Sequence, residues 1–270
     1  MTNFELHQNC KIDLEKDFYA YIDESGDEGF DLGKAGVTYW FNVSAIVATP
    51  SEFSRMNFVL QKYHSERKIN KPIYKLSSKE LDHNRKKDLF QIIGSFRFIT
   101  IHSLFYKPRI DLNDRLVRYP SMYFVGVKNV IERLSWLTKQ YGKQKCHIVV
   151  SGRNNIKESL LREYLFKYSI IGQSNLTYQE KIGKVTTGNI SQHTELLYAD
   201  YAAYSMRIYF EESGMPPSPD QSYFRWFQKN KLYSSQHSKF KGVWTNGLKL
   251  TPNDKNIKYI SDILDEGSHS

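Results

Sequence analysis

The stretch YAYIDESGDE, from Tyr19 to Glu28, decides the fold of this 270-residue chain. Its first four residues are aromatic, small or β-branched, which predicts a buried strand, and the Ser-Gly-Asp that follows predicts a turn. Asp23 therefore lies at the end of the strand, where a side chain leaves the core and faces a cleft. Because clustered carboxylates resist desolvation and repel one another, Asp23, Glu24 and Asp27 together favour a cation site. An acidic hairpin turn is the alternative, since Asp and Gly are ordinary turn residues.

The composition is typical of a large core with a basic surface. The chain is 40% apolar, with nineteen Tyr and sixteen Phe, and its net charge of +9 is compatible with a phosphate-rich partner or with a lysine-rich host proteome. Two cysteines, Cys10 and Cys146, cannot build a disulfide framework or a zinc site, which predicts a reducing compartment. The N-terminal segment is charged throughout and no window is apolar enough to span a membrane. The sequence therefore predicts a cytoplasmic protein without a membrane partner.

Strand-like stretches come first along the chain and then alternate with helical ones. This order predicts an α/β fold with a mixed central sheet covered by helices. Residues 1–16 are predicted to form a tail or capping segment, and residues 17–270 a single domain with a C-terminal extension. The pattern predicts strands at 18–23, 38–48, 96–107, 145–150 and 175–189, and helices at 52–64 (capped by Ser51), 123–136, 155–168 and 194–211.

One charged residue interrupts the apolar centre of the most regular helical stretch, TELLYADYAAYSMRIYFE at 194–211. A helical Asp surrounded by core-type residues is costly unless something pairs with it. Asp200 either pairs with a neighbour such as Arg207 or caps a loop, or it faces Asp23 across one or two divalent cations. The second hypothesis predicts a metal site made from the two ends of the chain.

Three motifs resemble the domain of unknown function 3800 family, a prokaryotic group with a predicted RNase H-like fold. They are YIDESGD on the first strand, a strand followed by Gly152 and Arg153, and ADYAAY on the late helix, and the resemblance spans roughly residues 18–252. It implies an RNase H-like mixed central sheet flanked by helices in the 17–270 domain. It also implies a nuclease that acts on RNA or DNA, in a toxin or phage-defence system, with Mg²⁺ or Mn²⁺ held by Asp23 and Asp200. A homodimer and a partner protein from a defence system are both compatible with it.

Other side chains are candidates for the same site. Asp27, Glu24 and Glu158 are candidate catalytic acids beside the two aspartates, although Glu24 would point to the opposite face of a continuing strand. The lysines among the phosphate-binding candidates could equally solvate strand ends. Contacts with substrate are predicted for five residues: Lys75, Lys107, Arg153, His193 and Lys249.

The chain departs from the family pattern where further acids are expected. Ser151 follows the strand at 145–150, Ile73 stands before the basic Lys75, and Leu197 replaces a common glutamine. Each missing carboxylate removes a negative charge and hard oxygen ligands. Two hypotheses therefore stay open: an active metal-dependent nuclease, or a catalytically decayed RNase H-like module that binds nucleic acid or protein.

A late segment interleaves aromatic and basic residues. It runs from Tyr223 to Trp244 with the sequence YFRWFQKNKLYSSQHSKFKGVW. Such mixtures bind single-stranded nucleic acids through base stacking and backbone charge contacts. Core packing of the aromatic residues is the alternative.

Overall fold

The structure is a computed structural model that describes residues 16–66, 82–153, 156–170, 178–211, 222–228, 231–233 and 247–252. Within these ranges the strands are β1 (Phe18–Ser25), β2 (Trp40–Ala48), β3 (Ile99–Tyr106), β4 (Cys146–Ser151), β5 (Ile182–Gly188) and β6 (Leu248–Thr251). The α-helices are α1 (Pro50–Glu66), α2 (His83–Gly94), α3 (Ser121–Gln140), α4 (Glu158–Ile170), α5 (Leu196–Glu211) and α6 (Ser222–Gln228). The predicted tail at 1–16 lies outside the described residues except for Lys16.

The strands form one mixed sheet in the order β5-β4-β1-β2-β3-β6. β2 is antiparallel to β1 and β3, whereas β4 is parallel to β1, β5 to β4 and β6 to β3. Helices cover both faces of this sheet. The predicted α/β class, with an RNase H-like mixed central sheet flanked by helices, is confirmed.

Burial explains the central strands. All nine residues of β2 are buried, as expected for a strand with neighbours on both edges and helices on both faces. In β1, Phe18, Ala20 and Ile22 pack on the side of α3, while Tyr21 packs with α1 and α5 on the other side. This alternation places Asp23, two residues after Tyr21, on the α5 side.

Small residues let two helices approach the sheet closely. A Cβ atom on Gly126 of α3 would lie 2.5 Å from Cγ2 of Val43 in β2, so the glycine is required by packing. On the opposite face, the backbone carbonyl of Ala203 in α5 accepts a hydrogen bond from Nδ2 of Asn42 at 3.1 Å. α3 and α5 are thereby fixed against the strands that carry the candidate site.

The element boundaries differ from the prediction at several points. α1 begins at Pro50, which suits the first turn because proline has no N–H there, so Ser51 lies inside the helix instead of capping it. β1 continues to Ser25, because β2 pairs with it as far as Asn42. In the described part of the chain, no helix is both long enough and apolar enough to cross a bilayer.

Candidate active site

The carboxyl ends of the parallel strands β1, β4 and β5 meet at one edge of the sheet, which is where open α/β sheets bind ligands. The register between β1 and β4 runs to the pair Ile22 and Val150. Asp23 comes next in β1, and Ser151 ends β4 beside Gly188 of β5. Because α5 packs against β1 and β2, this edge also lies under the helix that carries Asp200.

Asp23 is a buried carboxylate, with 8% of its surface exposed. The amide of Glu24 donates to its Oδ1 atom at 2.9 Å, and this bond and the nearby Ser151 both act to lower the pKa of the carboxyl group. Burial and the neighbouring charge of Glu24 nevertheless raise the pKa of Asp23 well above its usual range. The Asp23 carboxyl group at the end of β1 therefore keeps its proton to a higher pH than an exposed aspartate does.

Glu24 joins the same site from the adjacent position. Its Oε1 atom forms an ion pair with Nε of Arg153 at 3.0 Å, while its Oε2 atom is buried without a hydrogen-bond partner. Burial raises the pKa of Glu24. The charge of Arg153 and the interaction with the Asp23 carboxyl group oppose this rise, and the charges of Glu28 and Asp200 add to it. An unpaired buried carboxylate oxygen is costly, and such an atom marks a place where a ligand can bind.

Arg153 is held by carboxylates of the chain itself. Its Nη1 atom donates to Oε2 of Glu28 at 2.6 Å, and its guanidinium group lies 4.9 Å from the ring centre of Tyr123. The other oxygen of Glu28 accepts a hydrogen bond from the amide of Tyr123, at the start of α3, at 2.9 Å. The predicted phosphate contact of Arg153 therefore competes with two ion pairs, to Glu24 and Glu28.

Asp200 lies in the first half of α5 and is partly buried. Its charge raises the pKa of Glu24, which puts it within electrostatic range of the carboxylates of β1. It also contributes, after burial, to the raised pKa of the neighbouring Tyr201. The structure thus brings Asp200 and the YIDES strand to the same edge of the sheet, although 177 positions separate Asp23 and Asp200.

Asp27 and Lys107 anchor a loop. The Lys107 side chain is fully buried, and its ammonium donates to the carbonyl of Gly29 at 2.7 Å and to that of Asp27 at 3.1 Å. The carboxylate of Asp27 accepts from the amides of Thr38 at 2.6 Å and Gly29 at 2.8 Å. Partial burial raises the pKa of Asp27, but these bonds and Lys107 outweigh it, so the net shift is downward. The positions of both residues argue for a structural role and give no support to metal or phosphate binding.

The remaining candidates lie at varied places. Glu158 begins α4 and forms an ion pair with Arg162 of the same helix. His193 precedes α5, packs against Gly188 at the end of β5, and lies 6.2 Å from Tyr21 between ring centres. Lys249 lies in β6, and Lys75 falls outside the described residues.

Two residues of the site were missed or misjudged from sequence. Glu28, the last residue of the opening stretch, has a side chain only 5% exposed and binds Arg153. Ser151 was counted as a lost acid, yet it lies beside Asp23 and helps to lower the pKa of that carboxyl group. An acid directly after a Gly-containing turn was the available signal for Glu28, but its partner could not be read from sequence spacing.

The site offers hard oxygen donors in a limited number. Within the described ranges, no set of three or more His, Cys, Asp or Glu side chains is arranged to hold a metal ion. The carboxylates that interact electrostatically at the edge are those of Asp23, Glu24, Glu28 and Asp200. Two of them, Glu24 and Glu28, already share Arg153.

Comparison with other proteins adds no family to this description. No family model matches the chain, and no curated protein matches it either.

Proposed function

We propose that this protein is a divalent-metal-dependent phosphodiester hydrolase that acts on RNA or DNA, with Asp23, Glu24 and Asp200 at its centre. One observation carries the proposal: Glu24 has a buried carboxylate oxygen without a hydrogen-bond partner, beside the buried Asp23. Such an arrangement at the carboxyl edge of a sheet suits a cationic ligand. A toxin or phage-defence setting is a prediction that comes from the family resemblance alone.

The donor chemistry of the site fits Mg²⁺ or Mn²⁺. Both ions prefer carboxylate oxygens and keep several waters, so a site with few protein ligands is compatible with them. Asp23 and Asp200 would hold the ion, and waters and a substrate phosphate would complete its coordination. When bound, a divalent cation would polarise a phosphate oxygen and lower the pKa of a water.

The protein's own groups support proton transfer at the same place. The raised pKa values of Asp23 and Glu24 mean that one of these neighbouring carboxyl groups retains a proton more readily than an exposed acid does. A carboxyl group whose pKa lies closer to neutral is suited to general acid–base catalysis. The amide of Glu24 orients the Asp23 carboxylate, and the guanidinium of Arg153 orients that of Glu24.

A surface that suits nucleic acid begins next to these carboxylates. Asp200, Tyr204 and Arg207 are spaced four and three residues apart, so they share one face of α5. The Lys86 ammonium of α2 lies 5.2 Å from the ring centre of Tyr204, and the Arg207 guanidinium lies 5.8 Å from it. Arg207 also donates to the hydroxyl of Ser25 at 2.9 Å, which ties this face to the end of β1.

A second aromatic residue with a lysine over its ring lies beside the first. Lys87 is 5.2 Å from the ring centre of Trp226 in α6, and Trp226 packs beside Tyr223 at 6.0 Å between ring centres. Tyr204 in turn lies 6.3 Å from Tyr223. We name Tyr204, Trp226, Lys86 and Lys87 the stacking surface, since aromatic rings beside cations bind unpaired bases and phosphates.

The experiment that tests catalysis compares matched aspartate variants. Purified protein is incubated in Mn²⁺ with RNA, DNA and an RNA–DNA hybrid, alongside Asp23→Asn, Asp200→Asn and the control Asp31→Asn. Asp31 is exposed in the loop between β1 and β2, so its variant should cleave like the wild type. We expect the first two variants to lose on the order of 100-fold or more in rate. Intact substrates with the wild-type protein, despite retained nucleic-acid binding, would refute the nuclease proposal.

A second candidate function is binding without catalysis. The observation that favours it is Arg153, which neutralises Glu24 and Glu28 from within the chain as a bound cation would. Calorimetric titration with Mn²⁺ separates the two candidates. Metal binding that disappears in Asp200→Asn supports the nuclease, whereas no metal binding in the wild type supports a nucleic-acid- or protein-binding module.

A further inference from the structure

A second charged cluster lies away from the carboxylates, between α3 and the edge strand β6. Lys249 of β6 is in register with Ser103 of β3, whose hydroxyl accepts a hydrogen bond from Nδ2 of Asn129 in α3 at 3.0 Å. The side chains of paired residues share a face of the sheet, so Lys249 lies on the side of α3. Its neighbours Leu248 and Leu250 are buried on the opposite side.

Arg133 is the centre of this cluster. It is only 5% exposed, and its Nη1 atom donates to the carbonyl of Asn129, one turn earlier in α3, at 3.1 Å. Its Nε atom is buried without a hydrogen-bond partner. A guanidinium group with a buried unused donor is expensive unless an acceptor reaches it.

The nearby Glu132 forms its ion pair with a third residue, so Arg133 and Lys249 have none. Glu132 is paired with Lys128 at 3.5 Å. Neither Arg133 nor Lys249 forms an ion pair with another described residue. Among the described residues, the Glu132 carboxylate is thus the one acid that acts on Arg133 and Lys249, and its ion pair is with Lys128.

Burial explains why this charge is costly. It lowers the pKa of Arg133 to about 10, against the opposing charge of Glu132. Burial also lowers the pKa of Lys249, and the charge of Arg133 lowers it further. A bound anion would relieve both effects, because it supplies the countercharge that the described residues lack.

We propose that Arg133 and Lys249 form a binding site for a phosphate group, with Lys128 at its rim. A guanidinium fork and a compact ammonium group together suit a phosphate oxyanion, which accepts several charge-assisted hydrogen bonds. The cluster reaches solvent, since Lys249 is partly exposed and the Lys128 side chain is 22% exposed. The phosphate belongs either to a small free anion or to a nucleic-acid backbone.

This site is separate from the candidate active site. One row of paired residues crosses four neighbouring strands, in the order Lys249, Ser103, Val43 and Glu24. Three strand spacings, about 14 Å, therefore separate Lys249 of the phosphate site from Glu24 of the candidate active site. α3 packs on the middle of that row, where Gly126 meets Val43. The inference therefore does not depend on the proposed nuclease activity.

The test measures phosphate binding to the whole chain by calorimetry at constant ionic strength, with sodium phosphate against sodium chloride. We expect saturable phosphate binding that weakens at least about tenfold in Lys249→Gln, the size expected when one charged hydrogen bond is lost. Lys184→Gln is the matched control, because Lys184 is an exposed lysine within β5, the strand at the opposite edge of the sheet. Arg133→Lys keeps the charge without the planar fork, and it should weaken binding less than Arg133→Gln does.

A second arm identifies the source of the phosphate. A short single-stranded oligonucleotide that displaces phosphate from the wild type, but binds Lys249→Gln more weakly than Lys184→Gln, identifies the nucleic-acid backbone. Phosphate binding without competition identifies a small anion, and both results support the site. If circular dichroism shows that the arginine variants do not fold, the comparison of Lys249→Gln with Lys184→Gln tests the proposal without them. The proposal is overturned when neither phosphate nor oligonucleotide binding differs between Lys249→Gln and the wild type.

Discussion

The amide of Glu24 donates a hydrogen bond to Oδ1 of Asp23 at 2.9 Å, and the two consecutive carboxylates act on one another electrostatically. Strict strand alternation would send their side chains to opposite faces of the sheet. The register of β1 with β4 runs only to Ile22, so both residues lie beyond the paired part of that edge. The sheet thereby concentrates negative charge where it also receives Asp200 from α5.

Stability should fall with rising pH because of Asp23. Burial raises the pKa of Asp23 in the folded protein above its unfolded value of 3.8, so the folded state binds more protons between these two values. The free energy of unfolding therefore decreases as the pH rises from about 4 through the raised pKa. Asp23→Asn removes the charge, and we expect it to stabilise the protein at pH 8 by about 1–2 kcal/mol, and by less at pH 4. Urea unfolding across this pH range measures the effect.

Two comparisons make this prediction sharp. Asp31→Asn, at an exposed position, should follow the wild-type pH curve. Added Mn²⁺ should stabilise the wild type at pH 8 but not Asp23→Asn, because the variant lacks a carboxylate proposed to bind the ion. Parallel pH curves for the wild type and Asp23→Asn would show that the buried carboxylate carries no such penalty.

Arg153→Gln should destabilise the fold while improving metal binding. The substitution leaves Glu24 and Glu28, whose side chains are 16% and 5% exposed, without their common cation. Breaking such buried pairs costs roughly 3 kcal/mol. The same change makes the site more negative, so the apparent affinity for Mn²⁺ should rise. Chemical unfolding and calorimetry measure the two effects.

The matched variant for Arg153→Gln is Arg162→Gln. Arg162 forms its ion pair with Glu158 on the surface of α4, so its loss should cost less than about 1 kcal/mol. Equal destabilisation by both variants would mean that the Arg153 ion pairs are no stronger than a surface pair. Weaker Mn²⁺ binding in Arg153→Gln would assign Arg153 to the support of the metal ligands.

The sequence predicted well the strands and helices whose pattern lies within one segment. The aromatic and β-branched run of β1 predicted a strand ending near Asp23, and the Ala-rich segment predicted α5 with Asp200 in it. Both predictions rest on patterns within one segment, which spacing alone specifies. The pairing of Glu28 with Arg153 escaped prediction because it joins residues 125 positions apart.

Other features depended on tertiary context in the same way. Lys107 was predicted either to contact a substrate phosphate or to solvate a strand end, but the loop around Gly29 folds over it and buries the ammonium. The aromatic residues Tyr223 and Phe227 of α6 belong to the core, whereas Trp226 beside them is only partly buried. A pattern of residue types cannot show which of these side chains is buried and which is exposed, because distant segments supply the packing partners.

Lys107→Met should unfold the protein more easily without a specific effect on the metal site. The change keeps the aliphatic stem but leaves the carbonyls of Asp27 and Gly29 and the Asp27 carboxylate without their buried donor. Water can reach these acceptors, so the main cost is the loss of hydrogen bonds from a charged donor, and a destabilisation of about 1.5–3 kcal/mol is expected. Chemical unfolding of Lys107→Met and of Lys34→Met, an exposed lysine in the same loop, measures the difference. An unchanged free energy of unfolding in Lys107→Met would return Lys107 to the list of phosphate-binding candidates.

The stacking surface should determine affinity for unpaired nucleic acid. Tyr204→Ala and Trp226→Ala each remove an aromatic ring beside a lysine, and the loss of one stacked base costs about 1–3 kcal/mol, or roughly 5- to 150-fold in affinity. Because every base has a stacking face, the loss should be similar for different sequences and larger for single strands than for a duplex. Fluorescence anisotropy with labelled oligonucleotides measures it, and Tyr141→Ala, at an exposed tyrosine after α3, is the control. Equal affinities for the wild type, Tyr204→Ala and Trp226→Ala would mean that these rings only pack against their lysines, and that nucleic acid, if bound, follows another path to Asp200.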